Sequence, residues 1–307
     1  MSLALLFPGQ GSQYVGMGRE LADAVEDARG VFEEADDVLQ AGLSRLMWEG
    51  PEDELTLTRN AQPAILVHSV AVLRVVRERL GEVACAAGHS LGEFTAHVAA
   101  GTLSFEDALV AVRLRGELMF AAGLERPGTM AAVLGVEDAA VERACARVEG
   151  GICVPANFNA EGQVVISGDR KGVAAGMERV REAGAKRVME LKVSGAFHSP
   201  LMEPAERGLR AKLEAVAFRD PDFPVYSNVT AAPVRTGAEA RDLLVSQLTA
   251  PVRWSASVAA MVAGGADRFL ELGPGNVLCG LNKRNARGLA CASLGAPADI
   301  HALAGSA

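Results

Sequence analysis

The chain has 307 residues, half of them hydrophobic, and a formal net charge of -8. That length suits one large domain, or a large domain carrying a smaller one. The acidic balance excludes a general nucleic-acid binder, which needs a dominant basic face, and His, Arg or Glu interrupts every apolar run before it reaches membrane-spanning length. The five cysteines (Cys85, Cys145, Cys153, Cys279 and Cys291) are odd in number, scattered and without C-x-x-C spacing. They are expected to be reduced thiols of a cytoplasmic protein.

In chain order, Leu3 to Phe7 reads as a buried strand leading into the loop "PGQGSQ", with no basic flank to make it a signal peptide. A helical stretch runs from Met17 to Leu39. A second helix, Gln62 to Leu80, carries Pro63 near its start. Strand Val83 to Ala87 ends in a glycine-serine turn, followed by helices Leu91 to Ala100 and Ser104 to Ala122, with Ser104 as N-cap of the latter. Strands alternating with helices predict an α/β fold with a mostly parallel sheet flanked by helices. The pattern changes near Pro127, where strand, helix, two strands, helix and strand follow in order. That βαββαβ order belongs to the ferredoxin-like plan. The expected division is a discontinuous large domain, 1–126 and 194–307, into which a small domain, 127–193, is inserted. After the insertion come a helix from Pro200, strand "FPVYSNV", helices near Ala238 to Leu248 and Val252 to Ala263, and strand "DRFLELG". "HALAGSA" at the end reads as a frayed tail.

The break in "VACAAGHSLGEFTAHVAA" carries the chemistry. Gly88-x-Ser90-x-Gly92 has the form of a nucleophile elbow, with an apolar strand directly before it and a helix directly after. A serine on so sharp a turn needs glycine on both sides, and its hydroxyl then projects at the positive end of the next helix. The bland alternative is an ordinary strand-to-helix turn. A serine hydroxyl needs a base. His68 and His97 sit inside apolar helices, His89 points away from Ser90 if the turn is an elbow, and His301 is in the tail. His198, in "VSGAFHSPLMEPAERGL", lies just before a helix with Ser199 as N-cap and Pro200 as its first residue. The positive end of that helix disfavours imidazolium and keeps the ring available as a base; otherwise His198 is a loop residue without a task. Asp169 falls in the small domain and is not assigned as a triad acid, so a Ser90–His198 dyad oriented by a backbone carbonyl is expected. Arg115 has apolar residues three and four positions away on its helix. A cation there needs an anion, either a structural carboxylate or the carboxylate of a substrate.

These residues, with "FPGQGSQ", "GHSLGE", "NFN", "GQVVISG", "AFHSPLM", "QLTAPVRW" and "ELGPGNVL" in order over nearly the whole length, make the chain resemble the malonyl-CoA:acyl carrier protein transacylases. The resemblance implies a hydrolase-like α/β domain with a ferredoxin-like insertion. It implies Ser90 as nucleophile and His198 as base, with the main-chain carbonyl of Gln247 standing in for the triad acid. Backbone amides of Gln10 and Leu91 would form the oxyanion hole, with Gly9 and Gly11 letting the Gln10 backbone come close. Arg115 would clamp the malonyl carboxylate, Asn159 matches a polar site position, and Phe197 resembles members selective for malonyl over methylmalonyl. Phe94 departs from the pattern, standing where many members carry tyrosine. The implied partners are malonyl-CoA and an acidic acyl carrier protein, with no metal or redox cofactor and a monomeric enzyme. Lys283, Arg284 and Arg287 are either a docking patch for that carrier or a solvated helix face. Two rival functions use the same fold: a serine hydrolase or thioesterase, and a non-catalytic carrier-protein docking module.

Overall fold

The computed structural model describes residues 2–304, the last four as helical backbone only. Strand β1 (Leu3–Phe7) is buried on both faces, as a central parallel strand should be. The long helix expected next divides at Val25, whose backbone is extended, into α1 (Arg19–Ala24) and α2 (Glu26–Leu39). Two short helices that the sequence reading missed, α3 (Leu43–Glu49) and α4 (Glu52–Thr56), precede α5 (Thr58–Val76). α5 starts at Thr58, not Gln62, so Pro63 lies inside it. Proline has no N–H for the carbonyl four residues back, and that carbonyl, of Arg59, instead accepts from Arg113 Nη1 at 3.1 Å. Then come β2 (Val83–Gly88), α6 (Gly92–Ala99) and α7 (Phe105–Glu125). The Ser104 hydroxyl caps α7 as expected, accepting from Asp107 N at 3.0 Å.

The next six elements follow the predicted order: β3 (Gly128–Leu134), α8 (Asp138–Ala146), β4 (Cys153–Ala160), β5 (Gln163–Asp169), α9 (Arg170–Glu182) and β6 (Arg187–Glu190). Their strands form a separate sheet, β4-β5-β3-β6, in which every pair is antiparallel. A 3₁₀ turn at Pro200–Met202 leads into α10 (Glu203–Leu213), followed by β7 (Val225–Tyr226), β8 (Pro233–Val234), α11 (Gly237–Ser246), α12 (Trp254–Ala263) and β9 (Arg268–Leu272). The chain closes with α13 (Val277–Asn285), β10 (Ala290–Leu294) and α14 (Pro297–Ala304). Of these, β8, β10 and α14 were not anticipated, and α13 only as a helix face at Lys283 and Arg284. The start of the expected tail is therefore helical, while residues 305–307 lie outside the described part.

The larger sheet has the order β10-β9-β1-β2-β7-β8 and is parallel except for its β7–β8 edge. Alternation along β1 separates two cores. Leu3, Leu5 and Phe7 pack with α2, α5 and α7, whereas Ala4 and Leu6 face Trp254, Val258 and Leu278 of α12 and α13. The smaller sheet works the same way. Ala131, Val133, Val164 and Ile166 pack under α8 and α9, while Met130 and Val165 turn to the opposite face and join the main core.

The cysteine reading needs correction. Cys279 and Cys291 are joined in a disulfide, with Cα atoms 5.4 Å apart. α13 packs back onto β10, so its first turn brings Cys279 beside Cys291, the second residue of that strand. Only Cys85, Cys145 and Cys153 are free thiols, all buried.

Backbone contact fixes the turn after β2. A Cβ on Gly92 would lie 2.2 Å from the Phe7 carbonyl oxygen, and one on Gly88 would lie 1.9 Å from the Gly92 carbonyl. Neither neighbour is a flexible side-chain tip. Gly92→Ala should therefore lose on the order of 3 kcal/mol or more in denaturant unfolding. Gly30→Ala, in α2 with nothing within 4 Å, should gain about 0.5–1 kcal/mol. Equal midpoints for the two variants would discard this account of the turn.

Candidate active site

β1 and β2 run side by side in parallel and end together, with Phe7 opposite Gly88. The loops leaving their carboxyl ends therefore meet, at the edge where parallel sheets form sites. Ser90 sits in the second loop with φ +53°, a left-handed conformation that costs a non-glycine residue about 1–3 kcal/mol. Three hydrogen bonds hold it there. Ser90 N donates to Asn228 Oδ1 at 2.7 Å, Asn228 Nδ2 donates to the Gly88 carbonyl at 2.7 Å, and Gln247 Nε2 donates to the Ser90 carbonyl at 3.0 Å.

His198 reaches this serine across 108 positions of sequence, with Nε2 2.9 Å from Ser90 Oγ. Its Nδ1 lies 2.9 Å from the Gln247 carbonyl and 3.2 Å from that of Ala250. Carbonyls only accept, so the ring proton is on Nδ1 and the lone pair of Nε2 faces the hydroxyl. The expected backbone carbonyl of Gln247 is in place. Burial pushes the imidazole pKa down to about 3, and the positive Arg115 adds to the effect. The ring is neutral, and hence a base, throughout the physiological range. As anticipated, Ser199 caps the next turn, accepting from Leu201 N. Asp169 instead caps α9, accepting from Gly172 N at 2.7 Å.

Arg115 is 1% exposed, and among the described residues no carboxylate touches it. Nη1 donates to Gln62 Oε1 at 2.6 Å, while Nη2 donates to Gln247 Oε1 at 2.9 Å and to Ser90 Oγ at 3.1 Å. A guanidinium has five N–H groups, and Nε is among those left without a partner. Its centre lies 6.0 Å from the Phe94 ring. Phe94 is thus a wall behind the cation, a role that needs no hydroxyl. Burial lowers the guanidinium pKa to about 10, opposed by the charge of Glu93, so Arg115 keeps its proton at neutral pH. Of the two anions considered for Arg115, a directly bonded structural carboxylate is not the one present.

Ser90, His198 and Arg115 open onto a cavity of about 440 Å³, also lined by Gln10, Leu91, Asn159 and Phe197. All the predicted site residues line it except Gln247, which lies beneath. Among the described residues, no backbone carbonyl accepts from the Gln10 or Leu91 amide. Of the two flanking glycines, only Gly11 differs from expectation. Gly9 does allow close approach, since its Cβ would stand 2.5 Å from the His89 carbonyl oxygen, but Gly11 has open space around it and serves a φ of +103°. His89 turns away from Ser90, and its Nε2 bonds Asn159 Oδ1 at 2.8 Å. His68 and His97 are buried in the core, and burial lowers their pKa values to about 4 and about 3.

Sequence reasoning missed three participants. Gln62 connects Arg115 to the loop after β1, because its Nε2 donates to Thr58 Oγ1 and Thr58 Oγ1 donates to Gln10 Oε1. Asn228 holds the serine backbone. Glu93, fully buried on α6, accepts from Gln247 Nε2 at 2.7 Å and from Asn228 N at 3.0 Å. A usable signal existed for two of them, since Gln62 and Glu93 are polar residues on helices that are mainly apolar. Among the described residues, no group of three or more His, Cys, Asp or Glu could hold a metal ion, and no helix is long and apolar enough to cross a membrane.

Comparison with known proteins bears on this arrangement. A family model described as an acyl transferase domain matches residues 4–296. A malonyl CoA-acyl carrier protein transacylase of Bacillus subtilis (strain 168) is 47% identical over 300 residues, covering 97% of this chain and 95% of the relative. One from Escherichia coli (strain K12) is 42% identical over 301 residues, covering 97% of each. Among solved structures, a malonyl-transacylase in complex with its type II PKS acyl-carrier protein superposes with a TM-score of 0.96 at 41% identity, covering 100% of each chain. With the family model spanning nearly the whole chain and the relatives matching it end to end, the protein belongs to the acyl transferase family that includes the malonyl CoA-acyl carrier protein transacylases.

Proposed function

We propose that this chain moves a malonyl group from malonyl-CoA to the phosphopantetheine thiol of an acyl carrier protein, through a malonyl ester on Ser90. One observation carries the reading: a hydroxyl 2.9 Å from a neutral imidazole nitrogen and 3.1 Å from a buried guanidinium that no carboxylate among the described residues touches. The relatives' names and the carrier-protein complex of a structural neighbour support it.

In the first half-reaction His198 Nε2 takes the Ser90 proton as Oγ attacks the thioester carbonyl. The negative charge that develops on that oxygen is met by the amides of Gln10 and Leu91. Collapse breaks the C–S bond, and the imidazolium returns its proton to the coenzyme A sulfur. The carrier thiol then repeats the steps in reverse. Gln247 O holds Nδ1–H throughout and stabilises the imidazolium. Arg115 pairs the free carboxylate of the acyl group with its unused N–H groups. Asn159, whose Oδ1 is taken by His89, offers its NH₂ to the cavity, and Phe197 is assigned to exclude a methyl branch. Every proton and acyl transfer is thus given to a protein group, and the reading requires no metal or redox cofactor. It takes the protein as a cytoplasmic monomer. It also takes the small antiparallel sheet as a ferredoxin-like insertion, spanning 127–193 between the two parts of the large domain, 1–126 and 194–307; the sheet order β4-β5-β3-β6 supports this.

A hydrolase using the same elbow would call for a carboxylate on His198 and would leave Arg115 without a task. Here the His198 Nδ1 partners are two carbonyls. Lys283, Arg284 and Arg287 are exposed on and just after α13, whose Leu278 and Leu281 line the cavity. We assign this basic surface to the acidic carrier.

Three outcomes follow. Incubation with malonyl-CoA should add one malonyl group to the intact protein, read by mass spectrometry, and Ser90→Ala should remain unmodified; a modified alanine variant would remove Ser90 as the acyl carrier. Arg115→Ala should lower kcat/KM for malonyl transfer by about 10²-fold and acetyl transfer much less, whereas equal losses would favour the hydrolase. Glutamate at positions 283, 284 and 287 should raise KM for carrier protein and leave that for malonyl-CoA alone. An unchanged value returns those residues to the role of a solvated face.

A further inference from the structure

Glu93 has no part in the chemistry above, yet its carboxylate is buried beneath the site, 0% exposed in the first turn of α6. One oxygen, Oε2, accepts both from Gln247 Nε2 and from Asn228 N, at 2.7 and 3.0 Å. The other, Oε1, is not within hydrogen-bond geometry of a donor, and the Ser227 hydroxyl also favours the carboxylate's charge. Through Gln247 and Asn228, Glu93 acts on the reacting groups. Gln247 donates to the Ser90 carbonyl and accepts from Arg115 Nη2 and, at its backbone, from His198 Nδ1. Asn228 accepts from Ser90 N and donates to the Gly88 carbonyl.

The amide of Gln247 has two ends of similar shape and opposite polarity. Turned one way its oxygen faces the guanidinium; turned the other way its NH₂ does, which is repulsive. Oε2 accepts from two N–H groups, so even when the carboxyl is protonated the proton sits on Oε1 and Oε2 still only accepts. Glu93 therefore admits only the first orientation. We propose that Glu93 is a positioning residue that sets the polarity of the Gln247 amide, and thereby holds Arg115 where it favours acyl groups that carry a carboxylate. Burial pushes the Glu93 carboxyl up to about 7 even though the Asn228 amide, the Gln247 and Ser227 side chains and the charge of Arg115 favour its anion. Such a group is kept for its hydrogen bonds and not for solubility.

This inference rests on the malonyl-transfer reading, so its test carries controls for that reading. The quantity measured is the ratio of kcat/KM for malonyl-CoA to that for acetyl-CoA, with carrier protein as acceptor. A loss of general structural integrity lowers both and leaves the ratio in place. Glu93→Met, similar in length but without a comparable acceptor, should lower the ratio at least about tenfold, the size expected when a buried donor loses its partner. Glu93→Gln can present its carbonyl oxygen to the same two donors and should restore the wild-type ratio. Where the methionine variant does not fold, Glu93→Asp retains the charge, falls short of Gln247 and should show the same drop. A wild-type ratio in the folded methionine or aspartate variant overturns the proposal, as does a glutamine variant that fails to rescue. A wild-type enzyme without malonyl preference, or an Arg115→Ala variant that keeps it, would instead sink the transfer reading itself.

Discussion

Arg115 is a cation kept out of water by neutral amides, and much of the site is arranged around that fact. Burying a charge is costly unless its donors are satisfied. Here the compensation is partial. Gln62, Gln247 and the Ser90 hydroxyl take some of the N–H groups and leave Nε unspent. The nearest negative charge, Glu93, stands one amide away and does not neutralise the guanidinium by contact. A site built in this way is electrostatically unfinished, and an anionic acyl tail completes it. A carboxylate bonded directly to Arg115 would have made a better-satisfied core and a poorer binding site.

The same cation shapes the base. His198 is neutral because it is buried and because Arg115 repels a proton on the ring. Substrate recognition and base strength are therefore coupled through space. The geometry that allows this coupling is strained at both reacting residues, since Ser90 and His198 both adopt positive φ. Local sequence preference does not favour those conformations. At Ser90 the conformation persists because hydrogen bonds from α6, from the segment after β7 and from the end of α11 over-determine the backbone of the turn.

Much of the outline could be read in advance because it depends on short-range rules. Strand β1, the elbow, the capped start of α7 and the order of elements from β3 to β6 each follow from periodicity, capping or glycine spacing within about ten residues. Most of the errors share a different origin. The split at Val25 is local, with Arg29 donating to the Ala22 and Asp23 carbonyls, but the start of α5 at Thr58 with proline inside it, and the added elements β10 and α14, depend on partners far along the chain. The Arg59 carbonyl left without a donor by Pro63 is satisfied by Arg113, and no local pattern announces that rescue. The Cys279–Cys291 bond is of the same kind. Neither cysteine's spacing suggests it, but the return of α13 onto β10 brings the pair together.

The sequence by itself determined which residues are chemically able to act: a serine between two obligatory glycines, a histidine before a helix, an arginine on an apolar face, and amides in glycine-rich turns. These are properties of residue type and close neighbours, so they survive without coordinates. Only the tertiary structure decided how those groups meet. Which carbonyl orients His198, which amides receive Arg115, and why Gln62, Glu93 and Asn228 matter are questions of contact between segments that lie scores of residues apart. A hydrogen bond is strong only over a few tenths of an ångström and a limited angle. Partnership at that precision belongs to the packed fold, where β1 and β2 end side by side and the loops beyond them share a single cavity.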